Sequence, residues 1–342
     1  MNKLHTGIIG VGGYGAKVLA ELGRNEKFIV CAVADHDKEL AQEYAQQYEA
    51  AWYDDYRSLI VEEKLDVLFL ALPNYLCGEC IQLAAKAGMH VFKEAPLARS
   101  LPEAMQWVGW MEKADVRFHI GARKRFAPGY LQAHKLLEDG RVGQIYLVRG
   151  ETFLHYPDER DSFDWRGDPV LSGGGALLEE GCHLIDQIAW NLGSPENLYS
   201  LNTNKCSKRV LPPYRTEDTV VVTMNFPDGA MGNLLCSWMT GPTSERLLFH
   251  GTEGSLEVSA NLLRLFEPNG KVAEEQIFEV DDSWLISQQI RQFGDSLLDP
   301  EIKPVSTARS HLPNIAIIES AYLSARTQLP ETLKVYGSLF EI

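Results

Sequence analysis

The chain has 342 residues, and at about 150 residues per domain this length predicts two domains. Hydrophobic residues make up 45% and charged residues 23%, an ordinary globular mixture that argues against a disordered or fibrous protein. The formal net charge of −15 gives no reason to expect binding to nucleic acid or to an anionic membrane surface.

The first third of the chain alternates strand-like and helix-like segments. We predict strands at Thr6–Val11, Phe28–Ala34, Asp66–Leu72, His90–Phe92 and Arg117–Ile120. Helices are predicted between them at Tyr14–Leu22, Lys38–Tyr48, Tyr75–Ala87 and Leu101–Lys113. This alternation is typical of βαβ units on a doubly wound parallel sheet, so residues 1–121 are predicted to form a Rossmann domain.

The pattern changes near residue 122. A predicted helix at Pro128–Glu138 and a strand at Gln144–Glu151 precede an irregular stretch and a second helix at Ala176–Asn191. Alternating strands follow at Thr219–Phe226, Ala230–Trp238, Arg246–His250 and Ser255–Val258, separated by glycine-containing turns. Residues 122–342 are therefore predicted to form an α+β domain with a mostly antiparallel open sheet. We expect its final helix, near Asn314–Arg326, to pack back on the N-terminal domain.

The N-terminus and the cysteines indicate the cellular compartment. No long apolar leader precedes the first strand, and no apolar run reaches the roughly 18–20 residues of a membrane span. The six cysteines are scattered through apolar stretches, as expected for reduced thiols in a cytoplasmic protein. Cys77 and Cys80 form a Cys-x-x-Cys motif, but no second cysteine pair completes a zinc site, so we predict no bound metal.

A glycine-rich motif lies between the first predicted strand and helix. It consists of Gly10, Gly12, Gly13, Tyr14 and Gly15. Glycine allows a tight turn, a close backbone approach to a pyrophosphate, and close packing of helix on sheet. The helix N-terminus also offers free N–H groups to phosphate. We therefore predict a dinucleotide-binding site here.

The end of the second strand carries the expected acidic residue. Asp35 follows Gly15 by 20 positions and is predicted to accept hydrogen bonds from the adenine ribose. Its charge would repel a 2′-phosphate, so NAD is favoured over NADP. His36 would reduce the preference for NAD if it donated a hydrogen bond to the 2′-phosphate of NADP. The alternative interpretation of His36 is a solvated loop residue.

Several motifs together resemble the glucose–fructose oxidoreductase/inositol dehydrogenase/MocA (GFO/IDH/MocA) family over nearly the whole chain. They are the glycine motif, Ala71-Leu-Pro73-Asn74, His90-Val-Phe-Lys-Glu94-Ala95-Pro96, Arg125-Phe-Ala-Pro128, Gly173-Gly-Gly-Ala-Leu, Gly181-Cys-His183 with Asp186, and Gly251-Thr-Glu-Gly-Ser-Leu256. The resemblance implies a Rossmann domain followed by a domain for substrate binding and oligomerisation. It also implies NAD(P)-dependent hydride transfer to or from a secondary alcohol of a sugar, polyol or sugar acid.

The resemblance also assigns residues to the site. Leu72, Pro73 and Asn74 are expected beside the cofactor, and Glu94 on its nicotinamide side, with Ala95–Pro96 a candidate cis peptide bond. Three positions depart from the family pattern. Ala95 replaces the lysine of the family's Glu-Lys-Pro motif, and Glu179 replaces the aspartate of its Asp-x-Gly-x-His motif. Arg123 stands where the family commonly has Asn or Tyr before a basic pair.

Oxidation of a secondary alcohol requires a base for the hydroxyl proton and a carbon held against the nicotinamide. His183 is the candidate base, because histidine titrates near working pH. Glu179 lies four residues earlier on the same predicted helix face and would orient the imidazole or bind a hydroxyl, with Glu180 as a competing partner. Without the resemblance, an exposed helical pair would be the simpler interpretation.

The developing alkoxide also requires a positive charge, since losing one such donor costs about 3–4 kcal/mol of barrier. Lys93 is predicted as a catalytic candidate because it shares a strand face with position 95. Arg123 and Lys124 are candidates for binding the substrate, since the end of a parallel strand borders the ligand crevice. Each of the three has the alternative of being a solvated surface charge.

A loop at Asp158–Asp168 supplies the last candidates. Trp165 and Arg166 within it are predicted to bind a polar substrate, the alternative being an oligomer contact. The sequence thus predicts an NAD(P)-dependent sugar or polyol oxidoreductase, and the resemblance implies a homodimer or homotetramer. A NAD-binding sensor or regulator and a redox-neutral NAD-dependent glycoside hydrolase remain the alternatives.

Overall fold

A computed structural model describes residues 3–155, 165–206 and 214–333. The helices are α1 (Tyr14–Arg24), α2 (Lys38–Tyr48), α3 (Tyr56–Glu62), α4 (Asn74–Ala87), α5 (Leu101–Lys113), α6 (Pro128–Glu138), α7 (Pro169–Ser172), α8 (Cys182–Leu192), α9 (Asp282–Leu298) and α10 (Leu312–Thr327). Short 3-10 turns lie at Arg123–Phe126, Trp165–Gly167 and Arg309–His311. Among the described helices, none is long and apolar enough to cross a membrane.

The strands are β1 (Leu4–Ile9), β2 (Phe28–Ala34), β3 (Ala51–Tyr53), β4 (Val67–Leu70), β5 (His90–Glu94), β6 (Phe118–Gly121), β7 (Ile145–His155), β8 (Asn197–Thr203), β9 (Thr219–Asn225), β10 (Met231–Ser237), β11 (Met239–Gly251), β12 (Gly254–Val258), β13 (Leu262–Phe266), β14 (Val272–Ile277) and β15 (Glu331–Thr332). They form one sheet of six strands and one of nine.

The chain divides into two compact units. Unit 1 comprises Met1–Ala98, Pro102–Arg123 and Asp281–His311, and unit 2 comprises Arg99–Leu101, Lys124–Val280 and Leu312–Ile342. Residues 281–311, which the sequence analysis placed in the second domain, therefore belong to unit 1. The assignment of one domain to the cofactor and the other to substrate and oligomerisation stays a prediction.

Unit 1 contains a parallel six-stranded sheet in the order β3-β2-β1-β4-β5-β6. The order reverses at β1 and β4, which is the doubly wound arrangement that the alternation predicted. Fully buried strands such as β4 carry continuous apolar runs, as expected when helices cover both faces. The sequence analysis missed β3 and α3, which have three and seven residues and carry little periodic pattern.

The helix α9 completes the core of unit 1. Its residues Ile286, Ile290 and Phe293 are almost fully buried and join the apolar cluster beneath the sheet. Phe293 lies 5.7 Å from Phe92 between ring centres. The sequence analysis expected the final helix to pack on the N-terminal domain; α9 is the late helix that belongs to unit 1, whereas α10 belongs to unit 2 and packs on β8 and α8.

Unit 2 contains a mixed nine-stranded sheet in the order β14-β13-β12-β11-β7-β10-β9-β8-β15. Neighbouring strands are antiparallel apart from the parallel pair β7 and β10. Together the two sheets confirm the predicted fold class, α/β with a Rossmann sheet and a mostly antiparallel open sheet. The strands β8, β13, β14 and β15 were missed by the sequence analysis.

The helix predicted at Ala176–Asn191 begins differently from a regular α-helix. Its first residues, Leu177–Gly181, form a π-helical turn, and regular α-helix follows in α8. A π turn is wider than an α turn by one residue and occurs frequently at functional sites. Glu179 lies in this turn and His183 in the first turn of α8.

Candidate active site

The glycine motif forms a tight loop between β1 and α1. Gly10 has a φ of 84°, and a Cβ there would lie 2.5 Å from the Ala71 carbonyl oxygen. A Cβ on Gly15 would lie 2.0 Å from the carbonyl oxygen of Gly10. These two glycines are required by the packing of the loop itself. A Cβ on Gly12, in contrast, would meet nothing closer than Leu40 at 3.9 Å.

The N-terminus of α1 is arranged to bind an anion. Gly13 occupies the N-cap position with a φ of 50° and provides no side chain to bond the first N–H groups of the helix. Those N–H groups and the positive end of the helix dipole are the features that bind a pyrophosphate in this setting. The loop therefore fits a dinucleotide, as predicted.

Asp35 connects the glycine loop to the β2–α2 turn. Its carboxylate accepts hydrogen bonds from the N–H groups of Val11 at 2.8 Å and Asp37 at 3.0 Å. His36 Nδ1 lies 2.8 Å from Asp35 Oδ1, although the His36 side chain is 99% exposed. The carboxylate is thus fixed at the end of β2, where the sequence predicted contact with a ribose.

The β4–α4 turn and the end of β5 are joined by Lys93. The Lys93 ammonium is buried and donates hydrogen bonds to Asn74 Oδ1 at 2.6 Å, to the Glu94 carbonyl at 2.9 Å and to the Pro96 carbonyl at 2.6 Å. An ammonium has three N–H donors, and all three are used. Lys93 therefore holds the loop together, and this geometry argues against the catalytic role that the sequence predicted for it.

Leu72 and Pro73 lie in the same region of unit 1, and their predicted contact with the cofactor stays a prediction. Pro73 precedes α4 as its N-cap residue, and Leu72 lies against the glycine loop, 3.1 Å from the Cβ position of Gly10. The Ala95–Pro96 peptide bond is cis, as predicted. Cys77 and Cys80 are buried in α4, and all six cysteines are free thiols. Among the described residues, no cluster of side chains could hold a metal ion.

Glu94 lies at the centre of a polar network in unit 1. Its Oε2 accepts a hydrogen bond of 2.8 Å from the Tyr14 hydroxyl, and its Oε1 lies 3.4 Å from Arg123 Nε. Arg123 Nη1 lies 3.5 Å from Asp282 Oδ1. The other oxygen of this carboxylate, Oδ2, lies 3.0 Å from Lys17 Nζ. Burial raises the pKa of Glu94, while the Arg123 charge and the Tyr14 hydrogen bond oppose that rise.

Two further residues of this network were missed by the sequence analysis. A Cβ on Gly121 would lie 2.2 Å from Glu94 Oε2 and 3.3 Å from Gln289 Oε1, so both oxygens crowd the end of β6. Gln289 and Asp282 belong to α9, which lies more than 150 residues after Arg123 in the chain. No local pattern in the sequence connects them to the glycine loop.

Unit 2 brings together three of the predicted catalytic and substrate-binding residues. Arg166 Nε lies 3.2 Å from Glu179 Oε2, and the Arg166 guanidinium lies 4.4 Å from the centre of the Trp165 ring. Glu179 is 11% exposed and Arg166 31%, so the pair is reachable from solvent. His183 is 9% exposed. The predicted orientation of His183 by Glu179 stays a prediction, and residues 158–164 of the predicted loop lie outside the described residues.

Glu217, which the sequence analysis missed, holds the turn that carries Glu179. Its carboxylate accepts hydrogen bonds from the N–H groups of Gly175 at 2.8 Å and Leu177 at 3.0 Å, and from the Tyr322 hydroxyl at 2.8 Å. Burial raises the pKa of Glu217, while these hydrogen bonds oppose the rise. Glu217 therefore caps the π turn from a distant part of the chain.

The remaining charged residues of the motifs are engaged within unit 2. Arg125 forms a bidentate pair with Asp186 at 2.9 and 2.7 Å, so both residues serve to join the 3-10 turn to α8. Lys124 forms an ion pair with Glu245, which also accepts a hydrogen bond from the Tyr130 hydroxyl at 2.8 Å. Lys124 is 17% exposed and directed to Glu245, so Arg123 is the more accessible of the two predicted cations.

The chain matches two family profiles and is similar in sequence to known enzymes. The profile described as "Oxidoreductase family, NAD-binding Rossmann fold" matches residues 4–122, and that of the "GFO/IDH/MocA C-terminal domain" matches residues 130–257. The chain is 26% identical over 335 residues to D-xylose 1-dehydrogenase (NADP(+)) 2 from Haloferax volcanii, covering 94% of this chain and 97% of that one. It is 28% identical over 287 residues to levoglucosan dehydrogenase from Pseudarthrobacter phenanthrenivorans, covering 75% and 73%.

Solved structures have the same fold. A levoglucosan dehydrogenase in complex with NADH and levoglucosan superposes with a TM-score of 0.88 at 21% identity, over 97% of this chain and 99% of that one. An aldose-aldose oxidoreductase from Caulobacter crescentus, complexed with glycerol, superposes with a TM-score of 0.85 at 23% identity, over 97% and 100%. Because both family profiles match in order along a chain with this fold and this glycine loop, the protein belongs to the GFO/IDH/MocA family of oxidoreductases, whose Rossmann fold binds NAD.

Proposed function

We propose that the protein catalyses hydride transfer between NAD(P) and a secondary alcohol of a sugar, polyol or sugar acid. The observation that carries the proposal is the glycine loop of unit 1. Gly10 and Gly15 pack closely in this loop, and the N-terminus of α1 has no side-chain cap. The substrate class is supported by the names of the two sequence relatives, a D-xylose dehydrogenase and a levoglucosan dehydrogenase.

Each part of the proposed cofactor site in unit 1 has a role. The glycine loop and the first turn of α1 bind the pyrophosphate, and Asp35 accepts hydrogen bonds from the adenine ribose. Leu72, Pro73, Asn74 and Glu94 border the nicotinamide half. When bound, NAD(P)⁺ accepts a hydride and NAD(P)H donates one. The fixed charge of Asp35 favours NAD over NADP.

Proton transfer is proposed for unit 2. His183 takes the hydroxyl proton of the substrate as general base and returns it in the reverse direction. Glu179 is paired with Arg166, and its carboxylate accepts a hydrogen bond from a sugar hydroxyl. Trp165 and Arg166 bind the substrate, since their ring and guanidinium planes match the apolar and polar faces of a sugar.

Arg123 is proposed as the positive charge that stabilises the developing alkoxide. It is held by Glu94 and Asp282 at the end of β6 and lies over the Tyr14 ring at 5.6 Å, and 30% of its side chain is exposed. Lys93 has all its donors engaged, and Lys124 is directed to Glu245. A preorganised guanidinium at a partly desolvated site is suited to this task.

The proposal is tested by measuring NADH formation from NAD⁺ with a panel of sugars, polyols and sugar acids. We expect turnover on at least one compound and a loss of about 10²–10⁴-fold in kcat for His183→Asn, with NADH affinity unchanged. His134→Asn is the control, because His134 packs on the Trp190 ring at 3.7 Å in the same unit. Tight NADH binding without turnover across the panel in either direction would contradict the proposal.

We also propose that the protein is a cytoplasmic homodimer or homotetramer. Six free thiols support a reducing compartment. Light scattering of the purified protein gives the number of subunits, and a monomer at micromolar concentration would contradict the oligomer. Fractionation of the source cells tests the compartment.

A further inference from the structure

Unit 2 contains a cavity of about 640 Å³ that is separate from the residues proposed for catalysis. Its described lining includes neither Glu179 nor His183. One wall is a face of α10, where Ile315, Ile318, Tyr322 and Arg326 recur at helical spacing. The volume lies within the range of about 300–1,000 Å³ that is usual for small-molecule sites.

The lining of the cavity carries three positively charged side chains. Arg99, Arg215 and Arg326 all line it, in a chain whose net charge is −15. The Arg215 guanidinium is 61% exposed and uses Nη2 to pair with Asp168 at 2.7 Å. Arg326 is exposed, and within the described ranges no residue forms a hydrogen bond or ion pair with its guanidinium. Guanidinium groups bind carboxylates and phosphates through paired N–H donors.

The two glutamates of the lining accept hydrogen bonds from groups other than the lining arginines. Glu217 accepts from Gly175, Leu177 and Tyr322, as described above. Glu319 Oε2 accepts a hydrogen bond of 2.8 Å from the Leu101 N–H at the start of α5. In these hydrogen bonds both carboxylates accept from groups other than the arginines of the lining.

The other part of the lining is apolar. Leu178, Ile315 and Ile318 are each no more than 2% exposed and contribute apolar surface to the same lining as the arginines. Pro169 adds to this surface from the start of α7. A ligand that contacts both the arginines and the apolar residues of the lining has an anionic group joined to a carbon skeleton.

We propose that this cavity is a binding site for a small organic anion. The carboxylate or phosphate of the ligand lies against Arg215 and Arg326, and its carbon skeleton lies on Leu178, Ile315 and Ile318. Asn202, Thr203 and Asn204 at the end of β8 supply polar groups around the anion. The proposal concerns binding and assigns no step of hydride transfer to the cavity, so it is tested by binding alone.

The test is calorimetric titration of the full chain with phenyl phosphate. Saturating NADH is present throughout, so that the glycine loop in unit 1 cannot bind the probe. We expect binding with a Kd below about 1 mM, at least about tenfold tighter than inorganic phosphate because of the apolar surface, and no binding of benzyl alcohol. Arg326→Ala and Arg215→Ala should each weaken binding about fivefold or more.

Two further variants separate the cavity from general charge effects. Asn202→Trp places a bulky side chain at an exposed position of the lining and should abolish binding. Arg141→Ala removes an exposed arginine of the same unit outside the lining and should leave binding unchanged. The proposal is overturned by absence of binding up to about 10 mM phenyl phosphate, or by binding that survives both Arg326→Ala and Asn202→Trp.

Discussion

The Tyr14 hydroxyl donates a hydrogen bond of 2.8 Å to Glu94 Oε2 and so joins the glycine loop to the end of β5. The same carboxylate lies beside Arg123, whose guanidinium packs over the Tyr14 ring. Glu94 is therefore held from two sides, by Tyr14 next to the glycine loop and by Arg123 after the end of β6. This arrangement fixes the position of the Arg123 guanidinium at this edge of the unit 1 sheet.

Removal of the Arg123 guanidinium should lower turnover more than cofactor binding. We expect Arg123→Ala to reduce kcat by about 10²–10³-fold, because one preorganised donor to the alkoxide is lost. NADH affinity, measured by fluorescence titration, should change by less than about threefold. Added guanidinium chloride should restore part of the activity, whereas an equal concentration of sodium chloride should not.

Arg57→Ala is the matched control for this prediction. Arg57 also pairs with a carboxylate, Glu79, at 2.7 Å and lies 4.7 Å from the centre of the Tyr56 ring, but it is 52% exposed and belongs to α3. Its removal should leave kcat unchanged. If Arg123→Ala retains the wild-type kcat while the wild-type protein turns over a sugar, Arg123 is not the catalytic cation.

The parallel sheet of unit 1 was predictable because its strands and helices recur in the sequence with clear periods and because the glycine motif identifies the first βα turn. The structural role of Lys93 was not predictable from the sequence. Strand alternation predicted that its side chain shares a face with position 95. The acceptors that it uses, the carbonyls of Glu94 and Pro96 and the amide of Asn74, depend on the folded course of two loops. Contacts of this kind leave no periodic pattern.

The residues from α9 and from Glu217 were missed for a related reason. Gln289 and Asp282 reach the site of unit 1 from a segment far along the chain, and Glu217 caps a turn that lies about 40 residues before it. A single sequence shows which residues can bond but not which distant segments meet. Local motifs therefore identified the cofactor loop, whereas the tertiary supports of the site became visible only in the fold.

Two alanine substitutions in the glycine motif should have different effects. Gly12→Ala places a methyl group where the nearest described atom is 3.9 Å away, so the fold should be unaffected while the approach of a pyrophosphate is blocked. We expect NADH affinity to fall about tenfold or more with an unchanged melting temperature. Gly15→Ala places its methyl group 2.0 Å from the Gly10 carbonyl oxygen and should lower the melting temperature as well.

Thermal unfolding and NADH titration of both variants decide this point. Equal losses of stability in the two variants would show that Gly12 is required by the fold. Unchanged NADH affinity in Gly12→Ala would show that the pyrophosphate does not approach the backbone at this position.

Asp35 should set the preference between the two nicotinamide cofactors. Asp35→Ser removes the charge that would face a 2′-phosphate, and we expect the ratio of kcat/KM for NADP⁺ to that for NAD⁺ to rise about tenfold or more. The substitution also removes the acceptor of the Val11 and Asp37 N–H groups, so the free energy of unfolding should fall by about 1–3 kcal/mol.

Asp37→Ser controls for the loss of negative charge near this site. Asp37 caps α2 by accepting from the N–H groups of Glu39 and Leu40, and serine preserves a cap of this type. Its cofactor preference should equal that of the wild-type protein. A comparable change in both variants would mean that the general field, not contact with Asp35, determines the preference.

Glu217 should support both stability and the position of the π turn. Glu217→Gln keeps one carbonyl oxygen but turns an NH₂ group either toward the Gly175 N–H or toward the donors of Leu177 and Tyr322. We expect the free energy of unfolding to fall by about 1–3 kcal/mol, and kcat to fall because Glu179 lies in the turn that Glu217 caps. Tyr322→Phe removes one hydroxyl only and should cost about 0.5–1.5 kcal/mol.

The pH dependence of stability gives a second readout for this carboxyl group. Because burial raises its pKa in the folded state above the ordinary value of 4.5, the folded protein binds this proton more tightly than the unfolded chain does. The contribution of Glu217 to the free energy of unfolding therefore decreases as the pH rises from 4.5 through its folded pKa. Denaturant unfolding of wild type and Glu217→Gln across this range should show that the variant lacks this decrease. Parallel stability curves for the two proteins would mean that Glu217 has the same pKa in the folded and unfolded states.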